Sequence, residues 1–330
     1  MRRRSKEFIS NSFCVERLWP AFFCAVIFIA FTTLLANGQN LTKSALAPSH
    51  YSADWPKIRQ DVQFIAGKSL AVSRLTSGQV QLLEDGVEQH DFTLRQGDQP
   101  ASICFVLDLS SSMKEKGPAL ITAARKLMTE SNPADEFALV SFSGRESSVD
   151  QTFTTDAKKI DAALQSSGFG GGSNFFDGLL VAIGEVEAHA SNFRTVIVIL
   201  SDGDDNYSHF NLGDVLRRLR YPGAPMIYSL SPPRVLTPNQ SPDPNQGLRN
   251  LQEVAEATGG FFFVPEKPNS LDVEAVEISR DLRSRYSLEY TSMHTQRDGK
   301  LHRVEIRIAP TIGGAKIKPL FRQEYYAPSH

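Results

Sequence analysis

Phe105-Val106-Leu107-Asp108-Leu109-Ser110-Ser111-Ser112-Met113 joins an apolar run to a carboxylate and then to two hydroxyls at alternate positions. The run reads as a short buried strand that delivers Asp108 to its carboxyl end, and the turn beyond it aims Ser110 and Ser112 at the same point as the acid. One acid with neutral hydroxyls suits magnesium, which takes a near-octahedral oxygen shell and keeps several waters. The spacing alone is also that of a hydrogen-bonded turn leading into a helix N-cap.

Two later segments shift the balance toward a cation. The glycine-rich loop Gly168-Phe169-Gly170-Gly171-Gly172-Ser173 runs into an amphipathic helix and offers the Ser173 hydroxyl just before that helix begins. Thr195-Val196-Ile197-Val198-Ile199-Leu200 is a β-branched run ending at Ser201-Asp202-Gly203, a second acid at the end of a second buried strand. Asp-Gly by itself is a turn signal, but its place after a fully apolar strand favours a ligand role for Asp202. Asp177, in the first turn after Ser173, complements the helix dipole and is a candidate for orienting Ser173 or a metal-bound water from outside the ligand set. Asp204 and Asp205 read as solvated acids that tune the local field.

These residues resemble the metal-ion-dependent adhesion site (MIDAS) of a von Willebrand factor type A domain, in which D-x-S-x-S is followed by a Thr in a glycine-rich loop and then by an S-D-G or T-D-G segment. Asp108, Ser110 and Ser112 match the first element, Ser173 stands where the family usually has Thr, and Asp202 matches the last. The chain is also similar to secreted bacterial "VWFA-related" proteins of the acidobacterial type. That likeness rests on Leu75-Thr76, Leu83-Glu84-Asp85-Gly86-Val87-Glu88-Gln89, Leu251, Ala255, Thr258-Gly259-Gly260 and Tyr286-Ser287-Leu288-Glu289-Tyr290. It covers roughly residues 60–327. The resemblance implies bound Mg2+, in some members Mn2+, held by Asp108, Ser110, Ser112, Ser173 and Asp202, with a partner's carboxylate completing the shell.

Composition bounds the rest. With 330 residues and 41% hydrophobic content the chain can bury a full core. Its formal net charge is −2, of which the basic leader contributes +3, so the remainder is mildly acidic and gives no reason to expect nucleic acid as a partner. Residues 1–38 read as a signal peptide, with a basic start, an apolar stretch over 18–36, and Ala36-Asn37-Gly38 before Gln39 as the cleavage site. Left uncleaved, that stretch is about the ~20 residues a membrane-spanning helix needs and would make a single-pass anchor. Secreted or periplasmic location follows from cleavage, and membrane contact only from its failure. Cys14 and Cys24 lie in the leader, leaving Cys104 as a buried apolar residue. The seven histidines are dispersed, with no pair at i and i+4, and no C-x-x-C occurs, which argues against zinc.

Along the chain, residues 39–59 read as a flexible spacer and 60–98 as an amino-terminal β segment with a turn at Glu84-Asp85-Gly86. Strands and helices alternate over 99–285, the predicted type A domain, which implies an α/β, doubly wound, mostly parallel and Rossmann-like sheet with helices on both faces. Ligands of such sheets bind at the carboxyl ends of strands, where Asp108 and Asp202 fall. The Pro-rich loop 231–247 is too long for an ordinary connection, and Thr258-Gly259-Gly260 reads as a helix C-cap before a buried strand of three phenylalanines. Residues 286–330 return to β alternation, and neither flank is large enough to bury a core alone. They are expected to pair into one small β unit.

The leading functional expectation is a non-enzymatic, extracytoplasmic module that binds a protein presenting an Asp or Glu carboxylate. A metal-dependent hydrolase is the competing class, but the sequence positions no histidine within the D-x-S-x-S, glycine-rich or S-D-G segments, and no G-x-S-x-G occurs there. A structural secreted protein whose site is empty is the third.

Overall fold

The computed structural model of the protein describes residues 54–329 apart from 68–69, 73, 234–242, 244, 268–269 and 309–315. The leader, most of the spacer and most of the Pro-rich loop lie outside the described residues. The amino-terminal flank contributes β1 (Lys57–Ala66), β2 (Leu70–Ala71), β3 (Val80–Glu84), β4 (Val87–Gln89) and β5 (Phe92–Gln96). The alternating region begins with β6 (Ala101–Asp108), α1 (Gly117–Glu130), β7 (Glu136–Ser143), β8 (Glu146–Thr154), α2 (Ala157–Gln165) and α3 (Phe175–His189). It continues with β9 (Arg194–Leu200), α4 (Leu212–Leu219), β10 (Met226–Leu230), α5 (Gln246–Ala257), β11 (Phe262–Phe263) and α6 (Leu271–Ser284). The carboxyl-terminal flank adds β12 (Tyr286–Thr291), β13 (Leu301–Ile308), β14 (Ile317–Leu320) and β15 (Glu324–Tyr326). Among these residues no helix is long and apolar enough to cross a membrane.

The central sheet has the order β11-β10-β9-β6-β7-β8, parallel throughout except for the antiparallel edge strand β8. All eight residues of β6 are buried, which its unbroken apolar run requires of a strand covered on both faces. Side chains alternate: Ile103, Phe105 and Leu107 join a core with α1, α2 and α6, while Cys104 and Val106 join a second core with α3, α4 and α5. From β6 the chain adds β7 on one side and later β9 on the other, so the strand order reverses between β6 and β9. In open α/β sheets that reversal opens a crevice at the carboxyl ends.

The two flanks do share one core, but as two antiparallel sheets. One has the order β14-β1-β12-β5, with β2 paired to β1; the other is β15-β13-β3-β4. Each mixes strands from both ends of the chain, and Val62, Phe64, Leu82, Tyr286, Leu288, Val304 and Ile306 fill the space they enclose. β1 begins at Lys57, inside the stretch expected to be spacer, and the short strands β5 and β15 carry too little alternation to stand out in the sequence. Asp85 (φ 48°) and Gly86 (φ 81°) form the two-residue turn of the β3–β4 hairpin, both in the left-handed region that such hairpin turns require. The phenylalanine strand is only half-buried, because β11 is the sheet's edge.

The Thr258-Gly259-Gly260 stretch caps α5 as its composition suggests, and it also lets two chains meet. A Cβ on Gly260 would lie 1.8 Å from the Ile227 carbonyl oxygen, and one on Gly259 (φ +77°) 2.4 Å from Phe321 Cα.

Buried arginines bolt the flanks to the central sheet. Arg194, at the amino end of β9, donates from Nε and Nη2 to Asp61 Oδ1 of β1 (3.1 and 2.9 Å) and from Nη1 to the Leu282 carbonyl (2.6 Å). Arg285 donates to Asp281 Oδ2 (2.7 Å), to the Tyr228 hydroxyl (3.1 Å) and to the Gly259 carbonyl (2.8 Å), while Gln63 of β1 donates to Asp281 Oδ1 (2.6 Å). Removing one member of such a set leaves its partners desolvated and uncompensated, which typically costs about 3–5 kcal/mol. Arg194→Leu is therefore expected to lower unfolding stability by about 3 kcal/mol in urea denaturation; a loss under about 1 kcal/mol would show that the flank docks without this pair.

Candidate metal centre

Three loops meet where β6 and β9 end, and backbone bonds join them. Leu109 N donates to the Phe142 carbonyl (3.0 Å), Gly170 N to the Leu109 carbonyl (2.8 Å) and Ser111 N to the Gly171 carbonyl (3.0 Å). Asn206 N and Tyr207 N both donate to the Ser173 carbonyl (2.9 Å each), and Asn206 Oδ1 accepts from Ser173 N (2.8 Å). Glycine is needed at two points of this weave. Gly171 (φ +74°) would place a Cβ 3.2 Å from Gly144 N, and Gly203 (φ +74°) would place one 2.2 Å from the Gly247 carbonyl oxygen.

The acid at the centre is wholly buried: Asp108 has 0% exposure. Its Oδ1 accepts from Ser110 N (2.9 Å) and its Oδ2 from Ser201 Oγ (2.6 Å), so the carboxylate is clamped by its own loop and by the loop that carries Asp202. Ser201 Oγ in turn accepts from Gly203 N (2.8 Å). Ser110 Oγ and Ser112 Oγ lie 3.1 Å apart; Ser110 is buried and Ser112 exposed, which leaves the cup open on that side. Burial pushes the Asp108 carboxyl up to about 6, the neighbouring Asp202 charge adds to the rise, and the hydrogen bonds from Ser110 and Ser201 oppose it.

The donor set fits a hard divalent cation in three respects. All five expected ligands are oxygen donors from loops bonded to one another, as magnesium chemistry asks. Ser173 Oγ is buried with no hydrogen-bond partner among the described residues. Two buried acids face one region, and the cation bonded to one of them is Lys116, whose Nζ donates to Asp202 Oδ2 (3.1 Å).

Lys116 did not stand out in the sequence, because nothing about a lysine ahead of α1 marks it as an ion partner for an acid 86 residues away. The clamping roles of Ser201 and Asn206 were equally hidden.

The other acids around the cup have specific partners. Asp177 spends both oxygens on the loop after Asp202, accepting from His209 N (3.0 and 3.1 Å), His209 Nδ1 (2.8 Å) and Phe210 N (3.1 Å). It thereby holds the segment whose Asn206 braces Ser173. Asp205 is not a freely solvated acid. It accepts from Ser208 Oγ (2.5 Å), which itself accepts from Phe176 N and Asp177 N at the start of α3. Burial raises the Asp205 carboxyl above its ordinary range. A cavity of about 280 Å³ lined by Arg59, Asp61, Thr195 and Arg322 lies at the amino end of the sheet, remote from the cup.

Residues 103–204 match the family model described as von Willebrand factor type A domain. No curated protein matches the chain. Among solved structures, a von Willebrand factor type A protein from Catenulispora acidiphila is 13% identical with a TM-score of 0.47, over 83% of this chain and 74% of that one. The vWF domain of the type V pili tip protein Mfa5 from Porphyromonas gingivalis is 14% identical with a TM-score of 0.44, over 56% of this chain and 95% of that one. The PilB minor pilin from Streptococcus sanguinis is 14% identical with a TM-score of 0.43, over 57% and 62% of the two chains. The matched segment holds most of β6, the glycine loop and Asp202, and the sheet around it is mostly parallel and covered by helices on both faces; this chain carries a von Willebrand factor type A domain.

Proposed function

We propose that the protein is a non-enzymatic, extracytoplasmic binding module whose cup holds Mg2+ or Mn2+ and recognises an Asp or Glu side chain of a partner protein. The observation that carries this reading is the buried, unpartnered Ser173 hydroxyl in a loop tied to both acid-bearing loops. Ser110, Ser112 and Ser173 would hold the ion with Asp108 and Asp202; the three hydroxyls bring it no charge, and Lys116 already offsets part of the Asp202 charge. Bound there, the ion would offer a coordination position to an outside carboxylate oxygen.

The remaining tasks fall to the chain. Ser201 and Ser110 N fix the Asp108 carboxylate, Asn206 fixes Ser173, and Asp177 holds the loop that carries Asn206. The basic, apolar leader supports export.

One observation favours a rival. The Lys116–Asp202 pair already supplies a positive charge to the second acid, as a purely structural site without metal would need. Calorimetric titration decides: magnesium uptake at millimolar concentration or below supports the binding module, and none supports the structural reading. If uptake occurs, Lys116→Met removes a like charge beside the ion and should tighten Mg2+ by about tenfold; unchanged affinity would mean that the ammonium swings clear of the bound state.

Asp108→Ala is expected to abolish both magnesium uptake and metal-dependent capture of envelope proteins, with EDTA giving the same loss on the unsubstituted chain. Capture that survives both treatments refutes the carboxylate mode, and phosphoester or peptide turnover lost with Asp108→Ala would favour the hydrolase. Asp108→Asn separates binding from folding. Because the carboxyl is raised from 3.8 to about 6 in the folded state, ionising it weakens the metal-free fold as pH rises through that window. In EDTA at pH 7 the Asn variant should therefore be more stable than the parent, by on the order of 2 kcal/mol, while failing to bind magnesium. A variant that melts lower than the parent in EDTA would contradict the buried-charge account.

A further inference from the structure

The geometry points to a second, chemically different metal site: a zinc-class divalent transition metal held by Asp85, His294 and His302, with Asp298 as the outer partner of His302. One ligand atom from each of Asp85, His294 and His302 lies within 4.8 Å of the other two. Asp85 Oδ2 stands 2.8 Å from His302 Nδ1 and 3.5 Å from His294 Nε2. Zinc bonds of about 2.0–2.2 Å set tetrahedral ligands roughly 3.3 Å apart, so Asp85 Oδ2 stands near the required spacing from both histidine nitrogens. Imidazole nitrogen with a carboxylate suits zinc, copper or nickel, whereas the cup at β6 and β9 offers oxygen alone.

The other ring nitrogen of His302 is placed for an outer partner. Its side chain is 7% exposed, and its Nε2 is buried with no hydrogen-bond partner among the described residues. The nearest carboxylate, Asp298 Oδ1, is 3.7 Å away. With Nδ1 on the ion, the proton sits on Nε2 and points to Asp298, the carboxylate–histidine–metal arrangement that fixes ring orientation and raises ligand basicity.

The surroundings hold the ligands in place. Asp85 sits at the tip of the β3–β4 hairpin, where its N donates to the Arg303 carbonyl and its Oδ1 accepts from Arg303 N, both at 2.8 Å, leaving Oδ2 for the histidines. The His302 ring lies between His294 (centroids 4.8 Å apart) and Tyr325 (5.4 Å). His294 N donates to Ser292 Oγ (3.0 Å), and Ser292 Oγ donates to the fully buried Glu84 (2.6 Å), which also accepts from the Tyr290 hydroxyl (3.3 Å) and the Tyr325 hydroxyl. Asp85 and His294 are partly open to solvent, so a fourth position faces water. An ion here would clip the amino-terminal hairpin to β13 and to the segment between β12 and β13.

The test titrates the full chain, stripped with EDTA and dialysed, with ZnCl2 by calorimetry and with CoCl2 by visible d–d absorption. The expected result is one equivalent of zinc bound at micromolar concentration or tighter, tetrahedral cobalt bands, and a melting midpoint that rises by roughly 5 °C at a hundredfold excess over Kd. The same uptake in Asp108→Ala would separate this site from the magnesium cup. His294→Ala, at a ring 40% exposed and so tolerant of truncation, should remove the uptake, as should Asp85→Asn; Asp298→Asn should weaken it by about tenfold. No zinc uptake by the unsubstituted chain, or uptake undiminished in His294→Ala and Asp85→Asn, overturns the proposal.

Discussion

A carboxylate with no exposure at all, at the end of the innermost strand, is the constraint around which the molecule is arranged. Asp108 cannot be left there bare, since an ionised group taken out of water without partners costs far more than a domain's whole stability margin. Its two oxygens accept from Ser110 N and Ser201 Oγ, and those donors belong to two different loops. Clamping the acid therefore also fixes the Asp202 loop against the Asp108 loop, and the glycine loop is held to both by backbone bonds. The carboxyl remains raised by its burial, which is the electrostatic state that a nearby cation would relieve.

That acid reaches the crevice because of the sheet. β6 lies between β9 and β7, buried on both faces by separate helical layers, and the reversal of strand order beside it opens the carboxyl end. The flanks make a third core of their own, joined to the sheet through Arg194–Asp61 and through Asp281, which receives Gln63 on one oxygen and Arg285 on the other. Buried ion pairs of this kind are costly to break, so the flanks and the type A domain are coupled.

The two candidate metal sites divide by donor chemistry. The cup at the carboxyl ends of β6 and β9 has carboxylates and hydroxyls, which select hard cations that keep water; the flank site has two imidazoles and a carboxylate, which select borderline-soft ones. They also differ in what builds them. The cup is made by loops at strand ends in one domain, whereas the flank site exists because β13 pairs with β3, a register that sets Val304 opposite Glu84 and so brings His302 beside Asp85.

The amino-acid sequence by itself determined the alternation of strands and helices, the two buried acids after apolar runs, the Asp85-Gly86 hairpin turn and the glycine loop. Each is a local pattern, fixed by side-chain periodicity or by the backbone freedom of glycine, and each could be read without knowing what lies across the fold. Only tertiary structure decided that Lys116 pairs with Asp202, that Asp205 serves the start of α3 through Ser208, that Asp177 holds the His209 segment, and that the flanks interleave as two sheets. It also gathered histidines whose spacing had argued against a metal: His294 and His302 meet Asp85 across more than two hundred residues of chain. Such contacts depend on strand register and on which loops meet, and neither is encoded in the spacing of any one segment.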